Sequence, residues 1–155
     1  MEVKDIQVAN SVLLPEIVAL LEEGHTVTLR VKGYSMRPFL ENGRDKALLA
    51  AIKEPKVGDA VLAEVKPKVF VLHRIVAIEG DNVTLRGDGN INNEYCKRDD
   101  VKGIALGFYR KGREKADMTD GKKWLRYSAV WMRLYPIRRY LLFIYRVLFK
   151  LRLVR

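Results

Sequence analysis

The sequence predicts a mainly β protein: a coiled antiparallel sheet with a short helix ahead of it and a basic amphipathic helix behind it. Two observations carry that reading. Between residues 25 and 110, short runs rich in Val, Ile and Leu follow one another at regular spacing, with Gly, Pro, Asp and Asn between them, which is the punctuation of an all-β core. There is no strand–helix–strand rhythm and no internal repeat. At 155 residues the chain suits one compact core that buries about two thirds of the unfolded surface.

"SVLLPEIVALLEEG" predicts the first helix, with Ile17, Val18, Leu20 and Leu21 on one side, Gly24 as its stop and Asn10 or Ser11 as its cap. "HTVTLRV" alternates Val27, Leu29 and Val31 with polar residues, a half-buried strand that runs into Gly33 and Ser35. "DKALLAAI", "DAVLAEV", "VFVLHRIVAIEG", "NVTLRGDG" and "VKGIALGFYR" read as further strands. Residues 111–123, "KGREKADMTDGKK", are polar and read as a linker. The expected organisation is a domain over 1–110, a linker over 111–123 and a basic tail over 124–155.

Charge separates the tail from the rest. The net charge is +10, yet residues 122–155 hold ten Lys/Arg and no acid, and the remaining 19 basic residues balance 19 acidic ones. From Ile137 onward, Arg138, Arg139, Arg146 and Lys150 fall on one helical side, and Leu141, Ile144, Tyr145, Leu148 and Leu151 on the other. Charges interrupt this segment too often for a membrane span. It fits a helix lying in the headgroup plane, with Trp124, Trp131 and the tyrosines at the interface. Amphipathicity alone also allows a terminal helix packed on its own domain or on a partner in a homo-oligomer. The Leu, Ile and Phe content argues against a nucleic-acid partner. "MEVKDIQVAN" lacks the apolar core of a signal peptide, and no apolar run of about 18 residues precedes the tail. The single cysteine, Cys96, excludes an internal disulfide framework and a multi-cysteine metal site. No cofactor or metal is expected.

Chemistry concentrates in "VKGYSMRPFL", where a serine stands in a backbone corner between Gly33 and Pro38. A surface turn and a nucleophile both fit. A nucleophilic serine needs a base within hydrogen-bond reach, and the chain has two histidines. His25 lies about 30 Å upstream of Ser35 if the strand is extended. His73 sits inside a strand pattern, as a core residue or as a base. Asp88, between Gly87 and Gly89, occupies a tight turn from which a carboxylate could orient an imidazole.

Taken in order, "GYSMRPFLENGRD", "KVGDAVLAEV" and "FVLHRIVAIEGDNVTLRGDGN" resemble the signal peptidase and LexA-like superfamily of serine peptidases, over about residues 25–108. The resemblance implies that Ser35, in the Ser-Met-x-Pro box, is the nucleophile. It also implies that His73, followed by Arg74, is the general base, as in the branch that uses histidine rather than lysine. Asp88 matches the Gly-Asp-Asn box and is the expected third member, with Asp99 and Asp100 as rivals further along the chain. Gly33, Tyr34, Met36 and Pro38 become the expected substrate contacts, and Met36 and Phe39 an apolar floor. Gly33 stands where bacterial members often carry a hydroxyl that assists the oxyanion, so backbone N–H groups must serve instead. An extended peptide or preprotein is the implied substrate, added as a strand beside the segment leading to Ser35 and cleaved after small residues.

The chain departs from typical signal peptidases in lacking an amino-terminal span. The tail therefore implies peripheral attachment to a membrane at the cytoplasmic face. A self-cleaving repressor would need a DNA-binding helix pair and an internal Ala-Gly or Cys-Gly target, and neither is present. A non-catalytic peptide-binding domain on the same fold would be marked by loss of Ser35 or His73, and both are present.

Overall fold

The computed structural model describes residues 10–153, with side chains from Leu14 onward. The Asn10 or Ser11 side-chain cap and the segment 1–9 lie outside the described residues and side chains. The expected fold class is the one observed. Helix α1 (Asn10–Glu22) leads into strands β1 (Val27–Arg30), β2 (Lys46–Ala50), β3 (Ala60–Lys66), β4 (Val69–Glu79), β5 (Asn82–Arg86), β6 (Glu94–Lys97), β7 (Val101–Tyr109) and β8 (Asp117–Met118). Helices α2 (Lys122–Arg133) and α3 (Arg138–Lys150) follow.

All strand pairs are antiparallel, in the order β1-β2-β7-β3-β4-β5-β6, with β8 added to β7. Register shifts at Leu48/Leu49, Leu62/Ala63, Glu64/Lys66 and Ile75/Ala77 insert bulges that bend the strands and coil the sheet. The coiling gives the period-two pattern two cores to fill. Leu62 of β3 and Phe70 of β4 join a first cluster with Ile17, Leu21, Met36, Phe39, Phe108 and Trp124. Val61 and Ala63 of β3 and Ile75 of β4 join a second cluster with Val83, Leu85 and Val101.

The residues read as linker and tail take part in this body. Met118 and Asp117 of the 111–123 segment pair with Gly107 and Phe108 of β7. Trp124 and Trp131 of α2 are buried. Phe39, Phe108, Trp124 and Tyr127 form one aromatic group with ring centroids 4.7–5.8 Å apart, and each such pair adds about 0.5–1.5 kcal/mol beyond its buried area. Helix α3 packs on its own domain, with Leu142 buried and Tyr145 and Phe149 half-buried. One expectation for its polar side is corrected here. Arg138 is 2% exposed, and its guanidinium lies against Trp131 and Tyr135 at 5.1 and 5.3 Å. The exposed basic residues of α3 are Arg139, Arg146 and Lys150. No helix among the described residues is long and apolar enough to cross a membrane.

A buried polar cluster joins sheet to helices. Arg74 of β4 and Asp88, in the turn between β5 and β6, are each 1% exposed and form a bidentate pair, with both N···O distances 2.8 Å. Tyr127 donates to Asp88 Oδ2 at 2.7 Å, Trp131 Nε1 donates to the Asp88 carbonyl at 2.9 Å, and Arg74 donates to Ser128 Oγ at 2.6 Å. Trp124 covers the guanidinium at 4.5 Å. Asp88→Asn leaves Arg74 buried without its counter-charge, and a loss of about 3–5 kcal/mol is expected; urea unfolding monitored by Trp fluorescence measures it.

Candidate active site

The corner that holds Ser35 is built by hydrogen bonds closing the loop between β1 and β2. Val31 N–H donates to the Asp45 carbonyl and Gly43 N–H to the Val31 carbonyl, both at 2.8 Å. Gly33 N–H donates to Asn42 Oδ1 at 2.8 Å, and Gly33 takes φ +80°, a conformation that side-chain-bearing residues adopt only under strain. Asp45, fully buried, accepts from the N–H groups of Glu41 and Lys111 and from Arg44. Those hydrogen bonds and the Arg44 charge hold its carboxyl below the usual range, against the opposing effect of burial.

Beyond Ser35 the chain turns tightly, with Arg37 N–H donating to the Tyr34 carbonyl and Leu40 N–H to the Met36 carbonyl. The Gly87–Gly89 turn lies directly on this corner. Gly89 N–H donates to the Ser35 carbonyl at 2.8 Å, and Asp88 N–H points at Met36 Sδ at 3.4 Å. A Cβ on Gly87 would fall on the Ser35 carbonyl oxygen, and one on Gly89 on the Tyr34 carbonyl oxygen. Only glycine permits this approach.

Ser35 and His73 line one cleft of about 360 Å³, which runs between the end of β1 and β4. Leu29, Val31, Phe70 and Leu72 form its apolar walls, and Asn90 and Glu94 its polar end. Ser35 is half-buried and His73 buried. Glu94, the first residue of β6, brings Oε1 to 3.4 Å from His73 Nδ1, without the alignment of a hydrogen bond. Burial lowers the imidazole's pKa below its ordinary value, opposed by the Glu94 and Asp88 carboxylates. Burial thus favours the neutral form of the ring.

Asp88, the expected third member, has both carboxylate oxygens taken by Arg74 and Tyr127. Its rivals serve elsewhere: Asp100 accepts from Lys97 N–H at 2.8 Å, and Asp99 is exposed on the turn before β7. The carboxylate at the imidazole is Glu94, a residue the sequence reading passed over because "EYCK" has no apolar alternation to mark β6. Of the expected substrate contacts, Met36 lines the cleft, and Tyr34 lines a second one that shares Asn90 and Glu94 with the first. Gly33 and Pro38 line neither. His25 is exposed beside Glu23, at 3.6 Å. Burial pushes the Cys96 thiol up to about 11, so it stays protonated and unreactive at neutral pH. No group of three or more His, Cys, Asp or Glu able to hold a metal occurs among the described residues.

No curated protein matches the chain. Residues 7–123 do match the family model described as "Signal peptidase, peptidase S26". The match spans three quarters of the chain, from ahead of α1 to the start of α2, and includes both walls of the cleft that Ser35 and His73 share. The chain therefore belongs to the signal peptidase family, peptidase S26.

Proposed function

We propose that this chain is a serine endopeptidase that cleaves extended peptides or preproteins after small residues at a membrane surface. In this reading Ser35 is the nucleophile, His73 its general base and Glu94 the carboxylate that biases the ring. The observation that carries the proposal is that Ser35 and His73, 38 residues apart, line one cleft, with the Glu94 carboxylate 3.4 Å from His73 Nδ1.

In the first step His73 Nε2 takes the Ser35 proton as Oγ attacks the scissile carbonyl. The imidazolium then returns that proton to the leaving amine, and water hydrolyses the acyl-enzyme by the same route. Glu94 stabilises the transient imidazolium. The oxyanion is met by backbone N–H groups at the Ser35 corner, since Gly33 offers no hydroxyl. Among the described residues β1 ends the sheet order and pairs only with β2, so an extended peptide can add along its outer edge. The residues before the cleaved bond would then face Leu29, Val31 and Leu72.

The proposed membrane partner rests on α3. Tyr140, Phe143, Ile144, Val147 and Leu151 are 41–67% exposed, and their i, i+3, i+4, i+7, i+11 spacing makes one outward stripe. Arg139, Arg146 and Lys150 flank it. Anionic lipid of the cytoplasmic leaflet matches this surface, at about 1 kcal/mol per basic residue.

Four outcomes test the proposal. With a peptide carrying small residues before the target bond, Ser35→Ala and His73→Ala each lose at least about 10²–10⁴-fold in kcat. Peptide binding by all three proteins without cleavage by the native chain would instead mark a recognition domain. The base works only when neutral, so kcat/KM falls as pH drops through the His73 pKa, below about 6.5. Glu94→Gln removes a carboxylate that raises that pKa, and the acid limb moves to lower pH. Its rate loss is smaller than the roughly 10⁴-fold typical of a buried, hydrogen-bonded triad carboxylate, because Glu94 is 35% exposed and unaligned. Finally, vesicles containing phosphatidylserine sediment with the native chain, and Phe143→Ser with Ile144→Ser weakens that binding without lowering thermal stability.

A further inference from the structure

The cleft does not end at the catalytic pair. Asn90 and Glu94 line both the first cleft and a second, of about 580 Å³, on the Tyr34 side of the nucleophile. Aliphatic and aromatic side chains wall the first together with Arg30 and Lys32, and Arg139 and Arg146 of α3 line the second beside Tyr34, Ile91 and Leu142.

The charge in this second cleft is unbalanced. Arg37, also at its wall, is neutralised by Glu41 in a bidentate pair at 2.8–2.9 Å. Arg139 and Arg146 make no ion pair among the described residues, and residues 122–155 contain no acid that could supply one. The carboxylate in the cleft, Glu94, has an oxygen turned to His73. Seven residues separate the two arginines, two helical turns or about 10 Å along α3, the length of about three extended residues. They span a stretch of the second cleft that matches such a segment, the cleft meets the first at Asn90 and Glu94, and their guanidinium groups suit carboxylate partners.

We infer that the second cleft binds the part of the substrate that follows the cleaved bond and selects acidic side chains there, with Arg139 and Arg146 as the specificity-determining residues. The inference rests on the proposed peptidase activity, with the residues before the bond on the β1 side. It adds a preference that Ser35, His73 and the apolar cleft do not explain.

The test uses the full chain without lipid and three peptides identical before the target bond, with two Glu, two Gln or two Lys in the segment after it. The Glu peptide is expected to exceed the Gln peptide in kcat/KM by about fivefold at low salt, as two partly screened ion pairs allow, with the advantage shrinking as salt rises. Arg139→Gln with Arg146→Gln brings that ratio toward one, and Arg139→Glu with Arg146→Glu turns the preference to the Lys peptide. Equal cleavage of all three by the native chain overturns the inference and leaves the peptidase reading standing. So does a preference that survives in the double variants, even if those variants lose binding to phosphatidylserine vesicles. If no peptide is cleaved, the peptidase reading fails, and titrating the same peptides against the native chain decides the cleft. Tighter binding of the Glu peptide that both double variants lose then supports the acidic site, and equal binding overturns it.

Discussion

The buried pair between Arg74 and Asp88 is the contact through which the two halves of the site hold each other. Arg74 follows His73 on β4, and Asp88 precedes Gly89, whose N–H binds the Ser35 carbonyl. One ion pair thus closes a short path from the His73 imidazole to the Ser35 backbone. A buried pair of this kind is weak evidence for stability, since its desolvation offsets most of its attraction. Its value here is positional. Both carboxylate oxygens and the guanidinium are satisfied by Tyr127, Ser128, the Gly58 carbonyl and each other, and a fully satisfied buried network admits one arrangement.

The helices beyond β8 complete that network. Trp131, Arg138 and Tyr135 donate to the carbonyls of Asp88, Asn90 and Ile91, so the turn that clamps Ser35 is gripped from behind along its length. On the other side of the corner, the Arg37 guanidinium lies against Tyr34, Tyr145 and Phe149 at 4.3–5.6 Å and is paired to Glu41. Tyr145 also contacts Glu41 at 3.4 Å. The Ser35 loop is therefore packed between a glycine turn and α3. A segment that composition marks as separate has its inner face built into the domain that carries the cleft, while its basic flank and outer apolar stripe stay in contact with solvent.

Much of this was legible in the sequence. Apolar alternation located β1 to β5 and β7, because a strand with a buried face must repeat every two residues. The serine corner, the strand histidine and the Gly-Asp-Gly turn were recognisable as short motifs. β6 was not, since "EYCK" pairs with β5 at the far edge of the sheet, with exposed and half-buried residues alternating and no apolar signature. Glu94 went unseen with it. Asp88 was singled out as a functional carboxylate because its turn is distinctive, and the same turn delivers it to Arg74, fourteen residues back in the chain.

The tail shows the same division. Its charge, its amphipathic period and its unsuitability as a membrane span follow from residue order. Which stripe meets the domain does not: Arg138, formally part of the basic side, is covered by Trp131 and Tyr135, while Phe143 and Ile144 are left outside. By itself the sequence determined the fold class, the strands with a buried face and the identities of Ser35 and His73 as candidates. The tertiary structure alone decided which carboxylate stands at the imidazole, which one anchors the turn and which face of α3 is free. Periodicity encodes whether a residue is buried, whereas the partner of a buried charge is set by strand register and packing between segments distant in the chain.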